Sequence, residues 1–421
     1  MAYASNPTIA AARSELRAIN EQIPQELSNW RPRVTLNSDV GRQEVDNKTT
    51  DPETTTPRSV ELDVTQSLFR GGRTVAGTRR AEAEVRAQRE RLRDVEQQTL
   101  LSTAIAFMDV WRDQSVLELN INNEQVLDRQ LEASRDRFEV GEITRTDVAQ
   151  SESRLARAVG DRVQAEGNLS ISRAIYQELV GVAPGVLEAP PPVEGLPSDM
   201  EAVVATAEDS NPAVLVDVFS ERAEQENVKV QFGQLLPEVS VVGSLSHSAE
   251  TSSASSGRDR AQVLARVTVP IYQQGFVSSQ IREAKQRSSQ RRLQIDESRR
   301  RAIQDSISAW EALMTAQAEI RAFESEVEAT RIALEGVRQE NAVGARTVLD
   351  ILDAEQEFLD AQVSLVRAQR DEIVASYQVL TAMGRMTAVD LGLPVTLYDP
   401  EKDLEVVRDV WFGFGAVPYD W

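Results

Sequence analysis

At 421 residues, with 5% aromatic and 27% charged residues and no cysteine, the chain has the palette of long helices, and it excludes a disulfide framework and thiolate metal sites. A formal net charge of −21 argues against a nucleic-acid partner and favours cations or basic surfaces. No run approaches the roughly 18 consecutive apolar residues of a transmembrane helix, whereas a β-barrel, whose strands need only about 10 alternating residues, stays open.

The start MAYASNPT has no apolar targeting core, so a signal peptide is expected to be absent from this numbering. A helix of about 22 residues is predicted after Asn6-Pro7, because a capping side chain followed by proline in the first turn is a helix start; it stops before Pro32. Alternation then predicts strands over about 33–46 and 58–69, with Val60, Leu62, Val64 and Leu68 on one face and Glu61, Asp63, Thr65 and Ser67 on the other. The polar stretch GRQEVDNKTTDPETTTP between them reads as a loop. After Gly71-Gly72 the period changes from 2 to 3.6. A helix is predicted over about 73–139, roughly 100 Å at 1.5 Å per residue, too long for a compact globule. A tip turn at 140–146, a return helix to about 181 and the Pro-rich connector VAPGVLEAPPPVEGLP complete a first unit, 1–197.

The second unit, 198–387, repeats the first. Asn6-Pro7 returns as Asn211-Pro212 at an offset of 205, while Gly72 and Gly275, Gly141 and Gly344, and Gly181 and Gly384 are offset by 203. It carries a helix, strands at about 238–248 and 262–272 flanking the polar HSAETSSASSGRDR, a long helix at about 276–342, a tip turn at 343–347 and a return helix to about 384. Residues 388–421 form a C-terminal segment. In the last return helix Ile351, Ala354, Phe358, Ala361 and Leu365 make one stripe and Leu352, Leu359, Val366, Ile373 and Leu380 another. Two stripes require neighbours on two flanks, as for a stave in a closed cylinder of helices. The short and return helices of a unit sum to about the length of its long helix, so stacked end to end they would make its antiparallel partner. Four strands per chain cannot close a barrel, and open edges are not tolerated in lipid. Three chains give twelve strands around a lumen, whereas two give eight, filled by side chains.

The duplicated unit, AYASNPTIAAARSELRA near the start, SLFRGG at the strand-to-helix junction, and the paired FEVGEITRTDVAQSESRL and ENAVGARTVLDILDAEQEFLDAQ resemble the TolC family of outer-membrane channels. The resemblance spans essentially the whole chain. It implies an α+β membrane protein: a homotrimer with a 12-stranded β-barrel in the outer-membrane lipid of a Gram-negative bacterium, continued by an α-helical barrel of antiparallel coiled-coil hairpins through the periplasm. Residues 388–421 would be its equatorial segment. It further implies a passive, non-enzymatic exit duct for drug efflux or type I protein secretion, without a cofactor or metal. A periplasmic adaptor and an inner-membrane pump of RND or ABC type would dock on it. By the same resemblance Arg346 with Thr146 and Asp147 form a gate latch, and Asp350 and Asp353 form constriction rings. Gly141, Glu142, Ile143, Gly344, Ala345 and Thr347 are adaptor-docking tips. Asn341 stands where the family usually has a tyrosine that contacts the latch. From the residues alone, the favoured reading of Asp350 and Asp353 is a solvated helix face and a cap after a turn, and the resemblance reverses that preference.

Elsewhere the signals are weak. His247, the sole histidine, lies at a strand end with no triad or metal cluster around it. Gly71-Gly72-Arg73 lacks the remaining glycines and lysine of a phosphate loop. Trp30, Phe69 and Tyr272 suit a membrane interface or packing beside the barrel. The competing reading is a periplasmic coiled-coil adaptor or scaffold, which accounts for the helices but not for four alternating strands.

Overall fold

The computed structural model describes residues 1–45, 53–193, 195–251, 253 and 255–413. They form α1 (Ala2–Ser5), α2 (Pro7–Asn20), α3 (Gln22–Leu27), a 3-10 turn (Ser28–Trp30), β1 (Arg33–Val40), β2 (Gln43–Val45), β3 (Glu53–Thr55), β4 (Arg58–Arg70), α4 (Arg73–Glu139) and α5 (Arg145–Val180). There follow α6 (Met200–Ser210), α7 (Pro212–Gly233), β5 (Glu238–Ala249), β6 (Gly257–Thr268), α8 (Phe276–Ala342), α9 (Val348–Ala382) and α10 (Pro400–Arg408). The chain divides into two compact units: residues 1–13, 91–215 and 298–398 make one, and 14–90, 216–297 and 399 onward the other.

In the first unit the duplicated Asn-Pro steps join helices end to end. Asn6 Oδ1 accepts the Thr8 amide at 2.8 Å, while its Nδ2 donates to the Leu179 carbonyl at the end of α5 at 2.9 Å. Asn211 repeats both bonds, accepting from the Ala213 amide at 3.0 Å and donating to the Ala382 carbonyl of α9 at 3.0 Å. One side chain thus caps the helix it starts and satisfies a carbonyl left free by the helix it abuts. Gly384, at φ +77°, closes the second joint: a Cβ there would lie 2.4 Å from the Ser210 carbonyl oxygen, so only glycine fits. Beside this joint Tyr3, Leu100, Val203, Leu313, Val379 and Met383 pack into one core from α1, α4, α6, α8 and α9 and the α9 C-cap. A smaller core holds Leu127, Ala158, Val348 and Leu352 toward the hairpin turns.

In the second unit β1, β4, β5 and β6 form one antiparallel sheet in that order. Register makes it two-faced. Leu36, Leu62, Leu245 and Ala261 lie in one cross-strand row, and Val34, Val64, Gly243 and Val263 in the next row on that face. The opposite face carries Asn37, Glu61, Ser246 and Arg260, then Thr35, Asp63, Ser244 and Gln262. The apolar face is bare: Val34 is 61%, Leu36 69% and Val263 77% exposed. A small core of Ile23, Ala81 and Val85 takes in Leu404 from α10, and α10 is tied by ion pairs from Arg89 to Glu401 and from its own Arg408 to Glu82.

Several expected boundaries move. The helix after Asn6-Pro7 is two helices, α2 and α3, because Pro24 lacks the N–H that a continuous helix would donate back to Asn20. The first expected strand, 33–46, is two: β1 ends at Val40 and β2 follows at Gln43–Val45, pairing with β3 in the stretch expected to be loop; residues 46–52 lie outside the described residues. The last strand runs over 257–268 instead of 262–272, since polar Arg258 and Arg260 sit on the sheet's polar face and Pro270 cannot donate to a ladder. A bulge between Ser67 and Phe69 breaks the alternation, so Phe69, not Leu68, pairs with Val239. Helices α1, α6 and α10, of 4, 11 and 9 residues, are additional to the elements predicted from the sequence.

Candidate functional site

The two hairpin turns have the same backbone design, and it accounts for the repeated sequence. The Gly141 amide bonds to the Phe138 carbonyl at 2.9 Å and the Glu142 amide to Arg137 at 2.8 Å, the paired bonds of a Schellman helix end. Gly344 to Asn341 and Ala345 to Glu340, both 2.9 Å, reproduce it. Both glycines hold φ near +80°, the left-handed conformation such an end requires. Three residues after each glycine a threonine starts the return helix with a capping box. Thr144 takes the Asp147 amide on its hydroxyl while its own amide donates to the Asp147 carboxylate at 2.8 Å, and Thr347 and Asp350 do the same, also at 2.8 Å. The phrase Val-Gly-x-x-Thr-x-x-Asp is therefore a helix stop followed at once by a helix start.

This assigns Asp147 and Asp350 first to capping. The Thr347 hydroxyl and then its backbone amide, with Arg346 beyond, hold the Asp350 carboxyl below the usual carboxylate range. Arg346 donates to Glu340 at 2.9 Å and lies 3.9 Å from Asp350. Within one protomer the structure does not bring Arg346 to Thr146 or Asp147: Thr146 is exposed on the first turn of α5, and Asp147 is engaged by Thr144. Asp353 meets Arg154 of α5, an ion pair between the two hairpins.

A second link crosses between the hairpins. Arg137 donates to the Asn341 side-chain oxygen at 3.2 Å, while the Asn341 amide nitrogen donates to the Arg346 carbonyl at 2.8 Å. Asn341 thus bridges the end of α4 and the second turn. Arg137 and Arg154 carry these links and escaped the sequence reading, because an arginine on a polar helix shows no partner until the facing helix is placed. Gly141, Glu142, Gly344, Ala345 and Thr347 are exposed at the turns, and Ile143 is half-buried.

Away from the tips, His247 Nδ1 lies 2.6 Å from its cross-strand neighbour Asp259, both side chains exposed. Gly71 and Gly72 make a left-handed turn between β4 and α4. Trp30, Phe69 and Tyr272 are 49%, 47% and 82% exposed. Among the described residues no helix is long and apolar enough to cross a membrane, and no group of three or more His, Asp or Glu could hold a metal ion.

A bare-faced antiparallel sheet combined with two duplicated helical hairpins is the fold of the TolC-like outer-membrane channels. The chain belongs to the outer membrane efflux protein family, whose profile matches residues 1–182 and 203–385. It is 35% identical over 413 residues to the outer membrane efflux protein BepC of Brucella suis, covering 98% of this chain and 90% of that one. It is 24% identical over 408 residues to the outer membrane protein TolC of Escherichia coli, covering 92% and 81%. The crystal structure of the outer membrane protein VceC from Vibrio cholerae shares its fold, with a TM-score of 0.78 at 18% identity over 91% of this chain and 94% of that one. The protein is an outer-membrane efflux channel component, a family of channels and not of enzymes, and the adaptor or scaffold reading is set aside.

Proposed function

We propose that three copies of the chain close their sheets into one 12-stranded barrel in a Gram-negative outer membrane, with the duplicated hairpins lining a periplasmic tunnel. The observation that carries this is the two-faced sheet with free edges. Among the described residues β1 and β6 each pair on one side only, and their directions allow β6 of one copy to continue antiparallel into β1 of the next. An open edge beside an apolar face is unstable in lipid, and closure removes it. Twelve strands leave a lumen, and the Asp, Glu, Asn, Ser and Arg face would line it. The two repeats, 1–197 and 198–387, would each supply one hairpin, and 388–413 an equatorial segment; residues 414–421 of the expected segment 388–421 lie outside the described residues.

Export energy would come from an inner-membrane pump reached through a periplasmic adaptor, and the pump would choose between drug and protein substrates. The adaptor would seat on Gly141, Glu142, Ile143, Gly344, Ala345 and Thr347, where glycine permits close backbone approach. Arg346 of one copy would latch to Thr146 and Asp147 of a neighbouring hairpin in the shut state, exchanging its bond to the exposed Glu340. Asp350 and Asp353 would ring the constriction, with Arg154 offsetting part of that charge. Native mass measurement in mild detergent tests the assembly: a trimer weighs about 140 kDa, three times the 46.6 kDa chain. A stable monomer refutes barrel closure.

A further inference from the structure

The two free edges of the sheet differ in which residues they offer to a partner strand. The Gly41 amide donates to the Pro57 carbonyl at 3.0 Å, one step beyond the Val40–Arg58 pair. Odd-numbered residues of β1 therefore bond to β4, and even-numbered ones present their N–H and C=O at the open edge. The Glu250 amide donates to the Ser256 carbonyl at 2.7 Å, one step beyond Ala249–Gly257, so in β6 the odd-numbered residues face the open edge. Those same residues, Val34 and Leu36 in β1 and Val263 and Val267 in β6, lie on the apolar face. A seam that bonds both edges thus keeps apolar beside apolar, and it is displaced from the sheet's own rows by an even number of residues.

The boundary of the apolar face measures that displacement. Toward the loops its last apolar side chains are Val40, Val60, Leu245 and Ala261, followed on the same face by Arg42, Arg58, His247 and Asp259. Leu245 and Ala261 share the row of Leu36; Val60 lies one row beyond it and Val40 one row beyond that. From β1 to β6 the boundary falls two rows, which is four residues, over three strand-to-strand steps. A bilayer is flat, so strand tilt takes up this fall and the seam continues it, to between about five and six residues for the four steps of one copy. The nearest even number is six. At about 3.4 Å per residue and 4.8 Å between strands, twelve strands displaced by six per copy tilt by about 47°, by four about 35° and by two about 20°. Natural barrels hold about 35–45°, which excludes two, and the boundary decides for six over four. We propose that Val40 of one copy lies opposite Val263 of the next and Leu36 opposite Val267 on the lipid face, with Asp39 opposite Leu264 and Asn37 opposite Arg266 in the lumen. Charge fits this register. Arg266 has no hydrogen bond or ion pair within its own copy among the described residues. Asn37 Nδ2 donates to Asp63 at 3.4 Å, so the seam brings that guanidinium to the Asn37 oxygen beside the Asp63 carboxylate. The register rests on the barrel reading and adds which residues meet.

The chain has no cysteine, so paired cysteines report the seam without background. The lumen-face pairs are the non-hydrogen-bonded ones, with Cα atoms about 4.5 Å apart, which a disulfide spans; a residue two places along, about 7–8 Å away, is beyond its reach. Full-length Asp39→Cys with Leu264→Cys, oxidised in outer membranes with copper phenanthroline and air, should run on a non-reducing gel as a covalent trimer that a thiol reductant returns to monomer. Asp39→Cys combined with Arg258→Cys, Gln262→Cys or Arg266→Cys reports displacements of none, four and eight, and each should give about tenfold less product. Thr35→Cys with Thr268→Cys reads the same register from a second row and should cross-link as well as the first pair. Greater yield from any of the three comparison pairs, or equal yield from all, overturns this register and leaves the barrel standing. Trimers in which neither expected pair cross-links overturn it too. A chain that stays monomeric by native mass refutes the barrel reading itself.

Discussion

Replacing Asn211 by alanine removes the joint between α9 and α7 without touching either helix's apolar face. Two bonds are lost. The cap to the Ala213 amide is worth about 1 kcal/mol. The Ala382 carbonyl, on a residue only 7% exposed, is left without its donor, which costs about 1–2 kcal/mol more. The sum, about 2–3 kcal/mol per protomer, corresponds to a fall in Tm of about 2–3 °C for a chain this long. Asn211→Asp keeps the cap's acceptor and loses only the donor, so it should fall between parent and alanine variant. Thermal melts by circular dichroism give the Tm, and hydrogen exchange should locate the loosening at the start of α7 and the end of α9. An unchanged Tm together with unchanged exchange in both segments would refute the splice as a stabilising element.

At the tips, Arg346→Ser should raise single-channel conductance in planar bilayers while trimers persist; unchanged conductance removes Arg346 from the gate. A trivalent cation on the periplasmic side should block conductance, Asp350→Ala with Asp353→Ala should relieve the block, and Arg154→Ala, by uncovering Asp353, should tighten it. A double variant blocked as readily as the parent assigns the block to other acids. Asp350 is held below the ordinary aspartate pKa, so its capping bond is fully present above that ordinary value and is lost as pH falls through the depressed one. Carbon-detected NMR should show Asp350 titrating below a typical aspartate, and Thr347→Ala should return it upward; no movement would mean that Thr347 is not the cause.

What the sequence made legible is what backbone geometry demands of residue type. Gly141 and Gly344 are readable because a Schellman end needs a left-handed residue, and Asn6-Pro7 and Asn211-Pro212 because a helix start needs a cap before a fixed φ. The two faces of the sheet are readable by alternation up to the Ser67/Phe69 bulge, where one extra residue reverses parity without a compositional signal. Side-chain partners across helices were not readable. Arg154 to Asp353 and Arg137 to Asn341 depend on how two helices are rotated about their axes, and Arg346 to Glu340 on the path of a turn.

The central claim is that copies of this chain together form a transmembrane pore, and single-channel recording of the purified protein in planar bilayers tests it most directly. The account predicts discrete conductance steps from the trimer fraction, cation-selective because of a formal charge of −21 per chain, with the selectivity weakening as salt screens that charge. Trimers that insert but never conduct, in the parent and in Arg346→Ser alike, would contradict it.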